Sequence, residues 1–397
     1  MAEPGLRGIA LPLAVTLAVQ TLVAFAIYSA PVMAPVATRE LGVPAAAVGY
    51  YIAVAYAGSM LGSAGAGGWV ARYGPIRVSQ VALCLCLAGL ALAASAWTPL
   101  VLLGAFVCGL GYGPTNPASS VILVRAAPPA LYSLTFSIKQ TGVPGGGVLA
   151  GAIVPALVLA AGWQGAALAI GGACLAVAVL ISPVRARYDV GLVRNASVSP
   201  RTVLDTVALV LGHARLREMC VVSFVYAGVQ ITLVTYLVTF LVDGFAVSLV
   251  LAGAIMAVAQ VASVLGRLVW GVLADRALSR RAMLGLLGLG MGASAMVTLA
   301  AGPHWPVWLL FAFASAFGAT AVGWNGVFLA EVARIAPAGK VSQATGGCLF
   351  FTFLGVVVTP LVFNAVLALG AGYPAAYALL GLPGLAIGVR LLARRPR

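Results

Sequence analysis

Two basic side chains lie inside long apolar stretches, where a charge needs a chemical reason. Lys139 occupies the segment SIKQTGVPGGG (137–147), and Arg267 occupies GRLVWGVLADR (266–276). A cation near the middle of a membrane helix costs on the order of 2.5–3.5 kcal/mol on insertion scales. That cost is tolerated where the head group meets water, a partner or a ligand. Because no Asp or Glu lies in the middle of an apolar stretch, the two cations predict an anion that comes from outside.

Uncharged polar and aromatic side chains lie near the middle of other apolar stretches. A buried amide or phenol in lipid must find a hydrogen-bond partner on another helix or on a bound solute. The candidates for a binding site with Lys139 and Arg267 are Gln140, Tyr28, Tyr226, Gln230, Asn116, Trp324 and Asn325. A structural role is equally open for Asn116 and Asn325, because they recur at equivalent places in the two halves.

Motifs for other chemistry do not occur in the sequence. There is no phosphate-binding loop with its lysine, and the two histidines lie near predicted loops. The six cysteines lie within or at the edge of apolar stretches, so we expect packing residues and not disulfides or metal ligands. We therefore expect no enzyme, no cofactor and no metal site.

The composition indicates which elements position these side chains. Of 397 residues, 62% are hydrophobic and 8% charged, with mean hydropathy +1.10, whereas a soluble domain has about a quarter charged. We predict an all-α membrane protein with twelve transmembrane helices, each able to cross a core of about 30 Å. The predicted spans are 9–37, 45–71, 76–96, 99–124, 132–161, 164–183, 219–242, 247–274, 282–301, 305–333, 340–369 and 373–393.

The net charge of +14 comes from basic residues that flank alternate ends of the apolar stretches. This asymmetry is typical of cytoplasmic loops in a multi-pass membrane protein and argues against nucleic-acid binding. Residues 184–218 hold six arginines and are predicted to form a cytoplasmic linker. The linker separates a bundle at 1–183 from a bundle at 219–397. Because each bundle has six predicted spans and the linker is cytoplasmic, both termini are also predicted to lie in the cytoplasm.

The two halves of the chain resemble each other. LGSAGAGGWVAR (61–72) aligns with LGRLVWGVLADR (265–276) at a shift of 204 residues. NPASSVILVRAAP (116–128) aligns with NGVFLAEVARIAP (325–337) at a shift of 209 residues. Paired six-helix repeats in one chain are typical of secondary transporters, with the binding site at the interface between the repeats.

The segment GGWVARYGPIR (67–77) resembles the loop signature G-x-x-x-D-R-x-G-R-R of the major facilitator superfamily. Gly67, Arg72 and Gly74 match it, Ala71 replaces the aspartate, and GVLADR (271–276) supplies a second copy with Asp275. The resemblance implies two pseudo-symmetric six-helix bundles that open a central cavity to each side in turn. A small-molecule substrate would then cross by alternating access.

Charged residues at the ends of spans 2, 4, 8 and 10 are candidates for gating. They are Arg72, Arg125, Asp275, Arg276, Glu331 and Arg334. In the first half, Ala71 and Ile122 stand where the second half has Asp275 and Glu331. In the family, such clusters resemble latches that hold one side shut. The alternative is a basic fringe that binds lipid head groups.

The internal repeat does not require a cation at either central position, because Lys139 aligns with Cys348 and Arg267 with Ser63. The segment around Arg267 resembles span 8 of monocarboxylate and oxalate-type transporters, in which the arginine binds carboxylate. Two alternatives remain open. Either cation could extend along its helix to the membrane surface, or Arg267 could pair with Glu331 or Asp275 in a latch.

Pro144 and Gly146 are predicted hinge residues in span 5. Proline cannot donate to the carbonyl four residues earlier, and glycine permits bending and close helix approach. GVPGGG (142–147) resembles, loosely, the G-P-x-x-G-G signature of proton-coupled drug antiporters. A closely packed helix without a role in efflux is the alternative.

The sequence therefore predicts a monomeric secondary transporter of the bacterial inner membrane that moves a small organic anion, preferably a carboxylate. Symport and antiport both remain open. Efflux of hydrophobic or drug-like compounds is the first alternative. The second is a membrane sensor that resembles a transporter.

Overall fold

The computed structural model describes residues 6–43, 48–193, 195–196, 201–245, 247, 249–302 and 305–393, and these residues form helices without strands. The helices are α1 (Leu6–Glu40), α2 (Val48–Tyr73), α3 (Pro75–Ala93), α4 (Thr98–Tyr112), α5 (Thr115–Ala126), α6 (Tyr132–Gln140), α7 (Gly142–Leu180), α8 (Arg185–Tyr188), α9 (Arg201–Gly212), α10 (Ala214–Phe245), α11 (Leu249–Arg276), α12 (Arg280–Val297), α13 (Val307–Ala321), α14 (Asn325–Ile335), α15 (Val341–Ala368) and α16 (Gly372–Ala393).

Ten of the described helical stretches are long and apolar enough to cross a membrane. Helices suit lipid because every backbone group finds its partner inside the segment. The all-α membrane class predicted from composition is thus confirmed. The ten do not include α2, in which Gly, Ser and Tyr lower the hydropathy, or the polar stretch of α6. The count of twelve spans therefore stays a prediction.

Two helix breaks occur at places that the internal repeat relates. One break separates α4 from α5 at residues 113–114, and the other separates α13 from α14 at residues 322–324. Pro114 explains the first break, because it has no N–H to donate to the preceding turn. Asn116 and Asn325 each lie in the first turn after a break. The breaks thus position the two asparagines that the repeat has in common.

The junction of predicted spans 5 and 6 lies at Gly162, inside α7. Its φ of 68° and ψ of 173° are not helical, so α7 consists of two helical stretches. Glycine adopts this positive φ without a steric cost. A separate break at Thr141 divides α6 from α7.

The chain divides into two compact units. Unit 1 comprises Met1–Pro129, Lys139–Arg217 and Val332–Phe353, and unit 2 comprises Ala130–Ile138, Glu218–Glu331 and Leu354–Arg397. The predicted domain boundaries, 1–183, 184–218 and 219–397, follow the order of the chain and stay a prediction. The predicted cytoplasmic termini fall on residues 1–5 and 394–397, outside the described residues.

The predicted linker contains α8 and α9, and its residue Asp189 binds the N-terminus of α3. The Asp189 carboxylate accepts hydrogen bonds from the backbone N–H groups of Ile76 (2.8 Å) and Arg77 (3.1 Å). Burial raises the pKa of this carboxyl, while the two N–H groups and Arg185 act in the opposite direction. The start of the linker is therefore fixed against unit 1 by a helix cap.

Candidate functional site

Lys139 is the centre of a buried polar cluster in unit 1. It lies in the last turn of α6 and is 1% exposed. Its Nζ donates hydrogen bonds to Gln20 Oε1 (2.6 Å), Gln140 Oε1 (3.3 Å) and Asn116 Oδ1. All of these acceptors are neutral amide oxygens. The ammonium is thus solvated by dipoles and, among the described residues, has no carboxylate to balance its charge.

Helices α1 and α5 supply two of the three amides. Gln20 lies on α1, and its Nε2 is buried without a hydrogen-bond partner in the described residues. Asn116 lies in the first turn of α5, where its backbone carbonyl accepts bonds from the hydroxyls of Ser119 and Ser120, each at 2.9 Å. The cluster therefore combines the Asn116 amide oxygen, bound to Lys139, with a Gln20 amide nitrogen that has no partner in the described residues.

A group of aromatic side chains in unit 1 includes Tyr112, four residues before Asn116. The ring of Tyr112, just before the break that precedes Asn116, is 6.4 Å from that of Tyr56 and 6.1 Å from that of Phe353. Tyr28 lies next to Tyr56 and interacts with it electrostatically. These rings can supply apolar surface with hydroxyl groups at its edge.

Unit 2 contains a second polar cluster around Gln230. Its Oε1 accepts hydrogen bonds from Trp324 Nε1 (3.0 Å) and Asn325 Nδ2 (3.1 Å). Tyr226 packs edge-on against Trp324 with ring centroids 5.7 Å apart, and its hydroxyl donates to the carbonyl of Leu284 (2.8 Å). Four predicted site residues are therefore neighbours here, although they come from α10 and from the break before α14.

Arg267 lies at the same break in unit 2. It is 2% exposed, and its Nε donates to the carbonyl oxygen of Val322 at 3.0 Å. One turn further along α11, Trp270 Nε1 donates to the carbonyl of Ala319 at 2.8 Å. Breaking a membrane helix exposes backbone carbonyls that need donors, and Arg267 supplies one. Because Lys139 belongs to unit 1 and Arg267 to unit 2, their sharing of one anion stays a prediction.

Asp275 caps α6, the helix that carries Lys139 in its last turn. Its carboxylate is buried and accepts hydrogen bonds from the backbone N–H groups of Ser133 (3.1 Å) and Leu134 (2.8 Å) in the first turn of α6. Arg280 binds both Asp275 (2.9 Å) and the Ser133 hydroxyl (2.8 Å). Sequence reasoning selected Asp275 but missed Arg280 and Ser133, whose only signal was their place at the ends of apolar stretches.

The other gating candidates differ in burial. Glu331 on α14 is 5% exposed, whereas Arg72, Arg125, Arg276 and Arg334 are exposed. Arg125 Nη1 donates to the linker carbonyls of Tyr188 (3.4 Å) and Val190 (3.3 Å). In the first half, then, the motif arginine on α5 holds the linker backbone.

The predicted hinge residues lie at the start of α7. Pro144 is in the first turn, where a missing N–H costs no helical bond. A Cβ added at Gly146 would lie 2.6 Å from the Phe25 backbone nitrogen and 2.7 Å from the Ala24 Cβ, so α7 touches α1 there. Close helix packing is observed, and the hinge itself stays a prediction.

Apolar helices in two units, repeated helix breaks and buried polar clusters define a multi-pass membrane protein built to carry a solute. The family model described as Major Facilitator Superfamily matches residues 16–346, and the chain belongs to this superfamily of transporters, which are not enzymes. A comparison with curated protein sequences finds no match.

Solved transporter structures match nearly the whole chain. A variant of the E. coli fucose:proton symporter FucP matches with 17% identity and a TM-score of 0.77, covering 98% of this chain and 100% of its own. The proton:xylose symporter XylE matches with 15% identity and 0.73, covering 97% and 96%. The human organic anion transporter MFSD10 matches with 17% identity and 0.73, covering 98% and 100%. At these identities the likeness shows the fold alone.

Proposed function

We propose that this transporter moves a small organic anion, preferably a carboxylate, by alternating access. One observation carries the proposal: Lys139 is a buried cation whose partners in the described residues are three neutral amides. Such an arrangement leaves a net positive charge in an apolar protein, which is costly unless an anion joins it. The cargo carboxylate is that anion.

Gln20 and Asn116 fit the same role. Gln20 has a buried amide nitrogen without a partner in the described residues, so it can donate to a carboxylate oxygen next to the ammonium. Arg267 in unit 2 is proposed as the second cation, in line with the resemblance of its segment to carboxylate-binding transporters. Gln230, Trp324 and Asn325 would then shape the site for the remainder of the molecule. The match to MFSD10, an organic anion transporter, adds only the fold.

Asp275 is proposed as the latch. A carboxylate at a helix N-terminus is stabilised by the unpaired N–H groups and by the helix dipole. Because Asp275 caps one end of α6 and Lys139 occupies the other, opening the latch moves the binding lysine. Arg72, Arg125, Arg276, Glu331 and Arg334 are proposed to complete the latch on the same ends of their helices.

We place this transporter, as a monomer, in a bacterial inner membrane with both termini in the cytoplasm. The positive charge that flanks alternate ends of the spans supports this orientation. Symport of a proton with the cargo and exchange of two anions both agree with the absence of a carboxylate beside Lys139 in the described residues.

The experiment is a ligand screen with matched variants. Acetate, lactate, oxalate, succinate and benzoate are compared with amines, neutral sugars and uncharged drugs for thermal stabilisation of the purified protein. Each hit is repeated with Lys139→Met, Arg267→Met and Arg187→Ala. Arg187 is an exposed linker residue, so its variant removes one positive charge away from the site.

We expect at least one organic acid to stabilise the wild type and Arg187→Ala, and to lose most of this effect in the two site variants. Counterflow of the same acid in reconstituted vesicles then demonstrates transport, whereas binding without counterflow supports a sensor. If only amines, sugars or uncharged drugs bind, the anion proposal is wrong and efflux or neutral-solute transport replaces it.

A further inference from the structure

Two helix N-termini related by the internal repeat differ in whether a carboxylate caps them. In unit 2, Asp275 accepts hydrogen bonds from the N–H groups of Ser133 and Leu134 at the start of α6. The repeat shift of 204 residues relates Asp275 to Ala71, and the shift of 209 relates Ser133 and Leu134 to Ser342 and Gln343 at the start of α15. The first-half copy therefore keeps the helix N-terminus but lacks the carboxylate.

The packing around this position is otherwise alike in the two copies. A Cβ added at Gly271 would lie 2.7 Å from Ser137 Oγ and 3.1 Å from the Ser133 carbonyl in α6. A Cβ added at its counterpart, Gly67, would lie 2.8 Å from the Gln343 Cβ in α15. Each glycine thus lets the end of one helix touch the start of another. At position 71 the acidic side chain is absent, and Ile76 stands where the second copy has Arg280.

A cavity of about 430 Å³ lies at this place in unit 1. Ala71, Ser342 and Gln343 line it, together with Arg125, Lys340 and, from α9, Asp205. Neither Arg125 nor Lys340 forms an ion pair with the described residues, and the carboxylate of Asp205 is exposed. Two cations and one carboxylate leave the walls with a net charge of +1.

Ser342 is the second observation that points to a ligand at this helix N-terminus. The residue is 6% exposed, and its Oγ is buried without a hydrogen-bond partner in the described residues. A buried hydroxyl without a partner costs about 1–3 kcal/mol, so such groups are normally paired. The first-turn N–H groups of α15 also lack intrahelical acceptors, as in any α-helix. The Ser342 hydroxyl and the first-turn amides of α15 are hydrogen-bond donors, and Arg125 and Lys340 are cations. A negatively charged hydrogen-bond acceptor would satisfy all of them.

We propose that this cavity binds a compact oxyanion, a phosphate or phosphodiester group, which takes the place of the carboxylate that Ala71 does not supply. Oxygen atoms of the anion accept from the Ser342 hydroxyl and the first-turn amides of α15, as anions do at helix N-termini. Arg125 and Lys340 neutralise its charge. Free phosphate and the head group of an anionic lipid share this chemistry. The site is separate from the Lys139 cluster, although it shares Arg125 with the proposed latch.

The test uses the full chain, purified in a neutral detergent and freed of lipid. Thermal unfolding is followed by tryptophan fluorescence while chloride is replaced by phosphate at constant ionic strength. A second arm adds phosphatidylglycerol or phosphatidylcholine to the micelles. The variants are Ala71→Asp, which supplies a carboxylate within the chain, and Ser342→Ala, which removes only the unpaired hydroxyl. Ala393→Asp, at an exposed position in unit 2, adds the same charge elsewhere.

We expect phosphate or phosphatidylglycerol to raise the Tm of the wild type and of Ala393→Asp by about 2 °C. Ala71→Asp should have a higher Tm in chloride and lose most of the anion response, and Ser342→Ala should weaken that response several-fold. A response to phosphate identifies a soluble oxyanion, and a response to phosphatidylglycerol alone identifies a lipid head group. An equal response in wild type, Ala71→Asp and Ser342→Ala, or no response to either probe in the wild type, overturns the proposal.

Discussion

Replacing Lys139 with Met separates a binding role from a structural one. The change keeps an unbranched side chain, shorter by one atom, and removes the ammonium from its three amide acceptors, Gln20, Asn116 and Gln140. Each lost hydrogen bond to a charged donor is worth about 1.5–3 kcal/mol. Removing the ammonium also removes the cost of burying its charge, which is several kcal/mol. These effects oppose each other, so the free energy of unfolding without ligand should change by less than about 2 kcal/mol.

Affinity for the cargo anion should respond much more strongly. Removing one partner of a buried charge pair costs about 3–5 kcal/mol, which corresponds to a Kd raised on the order of 10²–10³-fold or more. Lys139→Arg keeps the charge in a wider head group and should lose less affinity than Lys139→Met. Calorimetric titration with the organic acid found in the screen gives Kd, and thermal unfolding gives stability.

The opposite pattern would refute this reasoning. If Lys139→Met binds the acid like the wild type and loses several kcal/mol of stability, the lysine is a structural donor to the three amides. The anion would then have to be bound elsewhere.

Three further predictions concern the helix cap, a helix contact and the Gln230 cluster. Asp275→Ala removes the acceptor for two backbone N–H groups and for Arg280. Uptake into vesicles should therefore fall, and the free energy of unfolding should drop by about 1–2 kcal/mol. Normal uptake at equal protein amounts would contradict the role of Asp275 as a latch. Gly146→Ala should lower the free energy of unfolding by about 1–3 kcal/mol, because its Cβ would lie 2.6 Å from the backbone of α1. Gly147→Ala is the matched control and should be neutral or slightly stabilising, because its Cβ would lie 3.7 Å from Tyr28. Equal melting temperatures for the two variants would show that α1 moves to accommodate the added methyl group. Gln230→Leu removes the acceptor of Trp324 Nε1 and leaves Asn325 Nδ2 with the Val322 carbonyl at 3.4 Å, so stability should drop by about 1–3 kcal/mol. Gln260→Leu on α11 serves as the control in the same melts and should change little.

Membrane class and helix positions could be predicted from the sequence because lipid allows few solutions for a long apolar stretch. Pro114 in the sequence indicates the break between α4 and α5. The break before Asn325 has no proline, and a Cβ added at Gly323 would lie 2.8 Å from Trp270 Cδ1, so the chain packs closely against α11 there. Lys139 could be chosen as a site residue by its cost in lipid. Its partner Gln20 lies 119 positions away on α1, and no local pattern relates two helices over that distance.

The short helix α6 has a thermodynamic consequence. Its nine residues form a rod of about 13 Å, with Asp275 bound at one end and Lys139 carried at the other, and the break at Thr141 separates it from α7. If Lys139 binds the cargo and Asp275 acts as the latch, as proposed, α6 would couple the two, because a rod this short bends little. By linkage, any factor by which the Asp275 cap weakens cargo binding at Lys139 equals the factor by which cargo weakens the cap. A cargo that cannot loosen Asp275 would therefore bind as an inhibitor.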